Sequence, residues 1–159
     1  MMSFKEYLIE AQAGTYAAVK PSKEDGKKIK EFMDMHNIPN QEPVSDLHST
    51  LLYSRKHLPN YKPDNTLSHD AKVHSLEVWP TKSGKNCLVA KLHAPSLCDR
   101  HAKLMDEHDA TYDFPEYKPH ISLSYDIGDY DISKLKTSHL PQSLKMTDEY
   151  KTALDTGGK

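Results

Sequence analysis

Two stretches of six residues, HSTLLY at His48–Tyr53 and HISLSY at His120–Tyr125, share one pattern about seventy residues apart. Each hexad has histidine, any residue, a hydroxyl residue, leucine, any residue and tyrosine. Of the chain's ten histidines, only these two have a hydroxyl residue two places on. Each hexad also continues with the alternating residues of a strand. This shared context makes the pair more specific than either His-x-hydroxyl triplet alone.

Residues two apart in a strand point to the same face of the sheet. We therefore expect His48 and Thr50 to project together, and likewise His120 and Ser122. The other face is expected to attach each strand to a core. Its members are predicted to be Leu51 and Tyr53 in the first hexad, and Ile121, Leu123 and Tyr125 in the second.

The hexads contain the side chains that metal-free cleavage of a phosphodiester needs. Histidine suits both proton-transfer roles near neutral pH, because its free pKa is about 6.5. The hydroxyls of Thr50 and Ser122 are candidate donors to the charge that develops on the phosphoryl oxygens. Two hexads facing each other would bracket one phosphate, so His48, Thr50, His120 and Ser122 are the predicted catalytic residues. Neither a metal nor a cofactor is predicted.

The flanking elements predict an α+β fold of two related halves. A short helix at about 3–12 precedes the first strand, and the tail at 155–159 is expected to fray. Each hexad follows one of two longer helices, which is the basis for two pseudo-symmetric halves. The helices are predicted at 22–36 and 95–110, and the remaining strands at 15–21, 72–79, 86–93 and 143–154.

Composition favours one domain, 1–159, with a small ligand. The net charge is −2 and the sequence pI about 6.5, whereas proteins that follow a long polyanion usually carry a basic excess. The two cysteines, Cys87 and Cys98, form no CxxC pair, which is typical of a reduced intracellular protein. No apolar run reaches the roughly 18 residues that span a membrane, and the N-terminal sequence lacks a signal-peptide pattern. We therefore predict a soluble protein without a membrane or long nucleic acid as partner.

The segments LHSTL and PHISL resemble the paired motifs of the 2H phosphoesterases. This resemblance implies a two-lobed α+β fold, with antiparallel sheets around a central cleft, helices outside, and one motif in each lobe. It also implies cleavage of 2′,3′-cyclic phosphates, 2′,5′ linkages or oligonucleotide ends without a metal. The order of predicted elements agrees with that fold.

Over nearly its whole length the sequence is similar to the anti-CBASS protein 1 family of T-even-type bacteriophages, through DLHSTLLYS and YKPHISLSYD. The resemblance implies an enzyme that cleaves 3′,5′ bonds of cyclic di- and trinucleotide immune messengers, such as 3′,3′-cyclic GMP–AMP, in the cytoplasm of the infected host. It also implies substrate contacts from Tyr16, Trp79 and Glu149. Ser122 stands where threonine is commoner in this family, and serine keeps the donor while losing a methyl group.

Several alternatives remain open from sequence alone. The same hexads would suit an RNA-processing phosphodiesterase, and a non-catalytic nucleotide sponge is a third hypothesis. Trp79 could instead be a half-buried core residue, and Glu149 a solvated surface residue. His101 and His108 are predicted at the surface, and Lys118 is a candidate phosphate contact. The sequence does not assign base and acid to the two histidines, choose between water and a ribose 2′-hydroxyl as the nucleophile, or give the oligomeric state.

Overall fold

A computed structural model describes residues 13–154 of the chain, so the predicted helix at 3–12 and the tail at 155–159 lie outside the described residues. The described part contains six strands and two longer helices. The strands are β1 Gly14–Pro21, β2 Ser49–Ser54, β3 His69–Pro80, β4 Asn86–His93, β5 His120–Ser124 and β6 Leu144–Leu154. The helices are α1 Lys23–Met35 and α2 Pro95–His108.

The six strands form one antiparallel sheet in the order β2-β1-β6-β3-β4-β5. Strand β3 joins two lobes, because its first residues pair with β6 and its remainder pairs with β4. The hexad strands β2 and β5 are the outermost strands, yet they contact each other. The sheet must therefore curl until its two edges meet. This bend brings together two segments that are far apart in both sequence and strand order.

Local sequence explains how the helices begin. Before α1, the Ser22 hydroxyl accepts a hydrogen bond from the Asp25 backbone N–H, which satisfies one free donor of the first turn. Pro95 opens α2, where a missing N–H costs nothing. Helix α1 contacts β1, and α2 contacts β2 and β3. The predicted two-lobed α+β fold with outer helices is confirmed.

Each hexad strand contains a β-bulge at its leucine, the fourth residue of the pattern. Opposite β1, the partners of Ala18 and Ala17 are Thr50 and Leu52, so Leu51 is the extra residue. Strand β5 repeats this opposite β4, where Leu123 is skipped. A bulge adds one residue to one strand and so shifts the later side chains to the other face.

The two bulges correct the predicted orientation of the tyrosines. Leu51 and Leu123 are buried, as expected for core residues. Tyr53 and Tyr125, however, do not attach the strands to the core: both line a cavity, and Tyr125 is 46% exposed. Strict alternation failed here because the extra residue returns the sixth position to the face of the first and third. The spacing that the two hexads share therefore has the same structural consequence in both.

Candidate active site

A cavity of about 660 Å³ lies between the two lobes, and both hexads line it with their first, third and sixth residues. These are His48, Thr50 and Tyr53 from one lobe and His120, Ser122 and Tyr125 from the other. Tyr16 from β1 and Trp79 from β3 also line the cavity. Six of the seven predicted site residues are thus brought to one place, although they come from four strands.

The two hexad histidines are held in the same way. The Nδ1 atom of His48 lies 2.7 Å from the Asp46 carbonyl oxygen, and Nδ1 of His120 lies 2.7 Å from that of Lys118. Because a carbonyl oxygen can only accept, each Nδ1 carries the proton and donates it. This fixes the tautomer and leaves Nε2 of each ring as the atom that can exchange a proton.

The surroundings of His120 disfavour its charged form. Its ring lies 4.6 Å from the Trp79 ring, centroid to centroid. Burial lowers the pKa of His120 below its ordinary value, the hydrogen bond to the Lys118 carbonyl opposes this, and the positive charge that His48 can carry lowers the pKa further. Neutral His120 is therefore favoured near neutral pH, which is the state that a general base needs.

Each hexad hydroxyl has a tyrosine neighbour. The Tyr16 hydroxyl lies 2.8 Å from Thr50 Oγ1. Burial raises the pKa of Tyr16 well above its usual range, so its phenol stays protonated and can donate to Thr50. The Thr50 proton is then free to donate to a ligand. In the other lobe, burial raises the pKa of Tyr125, and a hydrogen bond with Ser122 opposes part of this effect.

Trp79 is held by polar side chains of its own strand, β3. Its indole N–H donates to Glu77 Oε1 at 3.0 Å, and the Ser75 hydroxyl donates to Glu77 Oε2 at 2.7 Å. Both hydrogen bonds lower the pKa of Glu77, and the bond from Trp79 has the larger effect. The carboxylate thereby orients the indole beside His120 and keeps the ring half-buried at the cavity wall.

Glu149 does not line the cavity, and it is not the solvated residue of the alternative prediction either. It is only 3% exposed. Both Glu149 carboxylate oxygens accept from Arg100, at 2.9 and 2.8 Å, and Tyr61 donates to Oε2 at 2.7 Å. Burial alone would raise the pKa of Glu149, but the hydrogen bonds from Arg100 and Tyr61 lower it. The alternative of a solvated Glu149 failed because the partners that bury it, Arg100 and Tyr61, come from distant segments of the chain.

The segment 112–118 supplies the part of the wall that sequence analysis had largely missed. Tyr112 and Phe114 add aromatic surface, and Glu116 and Lys118 add one charge of each sign. Only Lys118 had been noted in the sequence, as a candidate phosphate contact. The proline-flanked sequence DFPEYKP before the second hexad was the available signal, because binding residues concentrate on loops held by a rigid scaffold.

Residues 13–154 offer neither a cluster of metal ligands nor a membrane-spanning helix. Over that range, no three His, Cys, Asp or Glu side chains are grouped so that they could hold a metal ion. No helix of the same range is long and apolar enough to cross a membrane.

The chain is similar to a family described as anti-CBASS protein Acb1, whose model matches residues 13–159. A relative of that name from Acinetobacter phage Ac42 is 36% identical over 96% of this chain and 98% of its own length. The relative of the same name from Enterobacteria phage T4 is 36% identical over 84% of this chain and 83% of its own length.

Among solved structures, the chain is similar to Escherichia coli LigT complexed with 3′-AMP. The TM-score is 0.58 with 16% identity, covering 89% of this chain and 87% of that one. A structure described as a phosphoesterase gives a TM-score of 0.55 with 13% identity, covering 89% and 88%. These identities are low, so the structures establish the shared fold, which is that of the 2H phosphoesterases.

Proposed function

This chain belongs to the anti-CBASS protein Acb1 family, and we propose that it is a metal-independent phosphodiesterase that opens cyclic di- and trinucleotide immune messengers. Family membership and the 2H phosphoesterase fold together support an anti-CBASS phosphodiesterase. In the infected host cell, the enzyme that we propose cleaves 3′,5′ bonds such as those of 3′,3′-cyclic GMP–AMP to linear products.

One observation carries the proposal: the histidine and hydroxyl of both hexads line one cavity. We assign His120 as the base, because its lowered pKa keeps it neutral near pH 7. Nε2 of His120 takes the proton of the attacking hydroxyl as the new O–P bond forms. Nε2–H of His48 then donates its proton to the 5′ oxygen as the P–O5′ bond breaks. Thr50 and Ser122 donate to the non-bridging oxygens, a type of stabilisation often worth about 10²- to 10³-fold.

The cavity wall supports a small nucleotide as the substrate. Its volume of about 660 Å³ is within the roughly 300–1,000 Å³ of ordinary ligand sites. Trp79 and Tyr16 can stack nucleobases, and Lys118 can neutralise a phosphate. Glu116, in place of Glu149, can accept hydrogen bonds from the amino groups of a base. The substrate contacts that we propose are therefore Tyr16, Trp79, Glu116 and Lys118.

Product analysis by mass spectrometry tests this function. The protein in EDTA would be incubated with 3′,3′-cyclic GMP–AMP, with a cyclic trinucleotide, and with an RNA that ends in a 2′,3′-cyclic phosphate. We expect catalytic linearisation of the cyclic substrates, lost in His48→Ala and His120→Ala. His93→Ala, an exposed histidine at the end of β4, is the matched control and should retain full activity.

The other outcomes identify the competing functions. Action on the RNA end alone would indicate RNA processing, and stoichiometric recovery of intact ligands would indicate a sponge. Loss of activity in EDTA would contradict the metal-free mechanism. A substrate with 2′-deoxyribose at the scissile position separates the two nucleophiles, since its full cleavage would exclude attack by the ribose 2′-hydroxyl and leave attack by water.

A further inference from the structure

Tyr117 links the segment that leads into the second hexad to the backbone of the first hexad. It lies three residues before His120, in a segment attached to its own lobe by the hydrogen bond from the Leu92 N–H to the Pro119 carbonyl, 2.9 Å. From there its hydroxyl reaches the other lobe and donates to the Thr50 carbonyl oxygen at 2.7 Å. The residue that leads into the second hexad therefore binds the backbone of the first.

His101 holds the Tyr117 ring and the neighbouring carbonyl. The two rings stack in parallel, with centroids 4.0 Å apart and planes 6° apart. Nδ1 of His101 lies 2.6 Å from the Leu51 carbonyl oxygen, to which it must donate. His101 is thus half-buried rather than at the surface, which corrects the expectation from sequence. Burial lowers the pKa of His101, and the hydrogen bond to Leu51 opposes this effect.

These two donors act where β2 most needs partners. Leu51 is the bulged residue of β2, and β2 is an edge strand. Bulged residues and edge strands leave backbone groups outside the regular ladder, and such groups are costly when buried without a partner. Tyr117 and His101 supply hydrogen bonds to two successive carbonyls at the bulge, those of Thr50 and Leu51.

We propose that Tyr117, steadied by His101, is a positioning residue that sets the distance and orientation between the two hexads. This inference rests on the proposed function, in which His48 and Thr50 act on the same phosphate as His120 and Ser122. Without the hydroxyl, the Thr50 carbonyl loses its link to the second lobe and the first hexad can move. A displacement of about 1 Å at a reacting centre can cost about 10²-fold in rate.

Tyr117→Phe tests the proposal, because it keeps the stacked ring and removes only the hydroxyl. Tyr130→Phe is the matched control: the Tyr130 hydroxyl also donates to a backbone carbonyl, that of His36, which lies outside both hexads. We expect Tyr117→Phe to lower kcat on 3′,3′-cyclic GMP–AMP by about 10- to 100-fold, with KM changed less than about threefold. Tyr130→Phe should retain kcat even if it loses as much thermal stability as Tyr117→Phe does.

An NMR titration of the His120 ring separates failure of this inference from failure of the proposed function, because it requires no substrate. Wider separation of the hexads would admit water and weaken the influence of His48, so the pKa of His120 should rise in Tyr117→Phe and stay unchanged in Tyr130→Phe. An unchanged titration together with kcat within twofold of the wild type would overturn the inference. Should Tyr117→Phe not fold, His101→Phe serves as the second variant, with the same expected direction and the same contradicting result.

Discussion

The two hexads have the same backbone arrangement but different surroundings. In both, Nδ1 of the histidine donates to the carbonyl two residues earlier, and a bulged leucine turns the tyrosine toward the cavity. The His48 ring lies 6.2 Å from Tyr16, a phenol, whereas the His120 ring lies 4.6 Å from the larger Trp79. A repeated motif can therefore place its two histidines in different environments, because the neighbouring strands supply a different aromatic ring to each.

The largest expected effects follow loss of either histidine. His48→Ala and His120→Ala should each lower kcat by about 10²- to 10⁴-fold, as is typical for a general acid or base. A substrate with sulfur in place of the 5′ bridging oxygen sharpens the comparison, since a thiolate leaves without a proton. We expect this substrate to restore most activity to His48→Ala and little to His120→Ala, measured as kcat against the oxygen substrate.

Equal rescue of both variants would contradict the assignment of base and acid. Rescue of His120→Ala alone would reverse it. The exposed His93→Ala variant should cleave the oxygen and the sulfur substrates at the wild-type rates.

The hydroxyls should show the next largest effect. Thr50→Val and Ser122→Ala each remove a proposed donor to the phosphoryl oxygens, and we expect kcat to fall by about 10²-fold in each. Tyr16→Phe should cost less, because Tyr16 acts on the phosphate only through its hydrogen bond with Thr50. Steady-state kinetics would check this order. A Tyr16→Phe variant slower than Thr50→Val would instead indicate direct contact between the Tyr16 hydroxyl and the phosphate.

Replacement of Trp79 should change both affinity and pH dependence. Loss of base stacking in Trp79→Ala should weaken substrate binding by about 10- to 100-fold, since stacking contributes about 1–3 kcal/mol. His120 must be neutral to act as a base, and its lowered pKa places the acid limb of kcat/KM below about pH 6.5. Trp79→Ala exposes His120 to water, which raises that pKa, so the acid limb should move to higher pH.

Trp79→Phe is the control for this prediction, because it retains an aromatic ring and should show smaller changes in both quantities. An acid limb that stays in place when affinity falls would show that Trp79 does not desolvate His120.

The smallest effect on catalysis is expected at Glu149. Glu149→Gln leaves Arg100 without its buried partner, and breaking such a pair typically costs about 3–5 kcal/mol of the free energy of unfolding. KM and kcat should nevertheless stay within about twofold at a temperature where the protein is folded. Thermal denaturation and steady-state kinetics check both statements. A raised KM with unchanged stability would indicate that Glu149 contacts the substrate.

The pH dependence of stability provides a second measurement at this site. Because the pKa of Glu149 is lowered in the folded state, its stabilising contribution is present above its unfolded value of about 4.3 and is lost as pH falls through the folded value. The wild type should therefore lose its advantage over Glu149→Gln in acid. Glu107→Gln, from an exposed pair with Lys103, should change stability by less than about 1 kcal/mol.

Local sequence patterns predicted much of the fold. The alternation of the hexads predicted strands that share a face for His48 and Thr50, and for His120 and Ser122, and the structure has this arrangement. Two residues indicated where the helices begin: Ser22 as the N-cap of α1 and Pro95 in the first turn of α2. These features depend on residues within a few positions of each other, so one sequence is enough to detect them. The catalytic roles of the hexad residues stay predictions.

Only the tertiary structure decided the features that depend on distant partners. The bulges at Leu51 and Leu123 arise from pairing with other strands, so the pattern alone placed Tyr53 and Tyr125 on the wrong face. Glu149 meets Tyr61 across 88 residues, and Tyr117 meets Thr50 across 67. The sequence by itself determined where the strands and helices form and which hydroxyl each hexad histidine shares a face with. The curled sheet determined which of them meet, because strand register and long-range hydrogen bonds are properties of the folded chain.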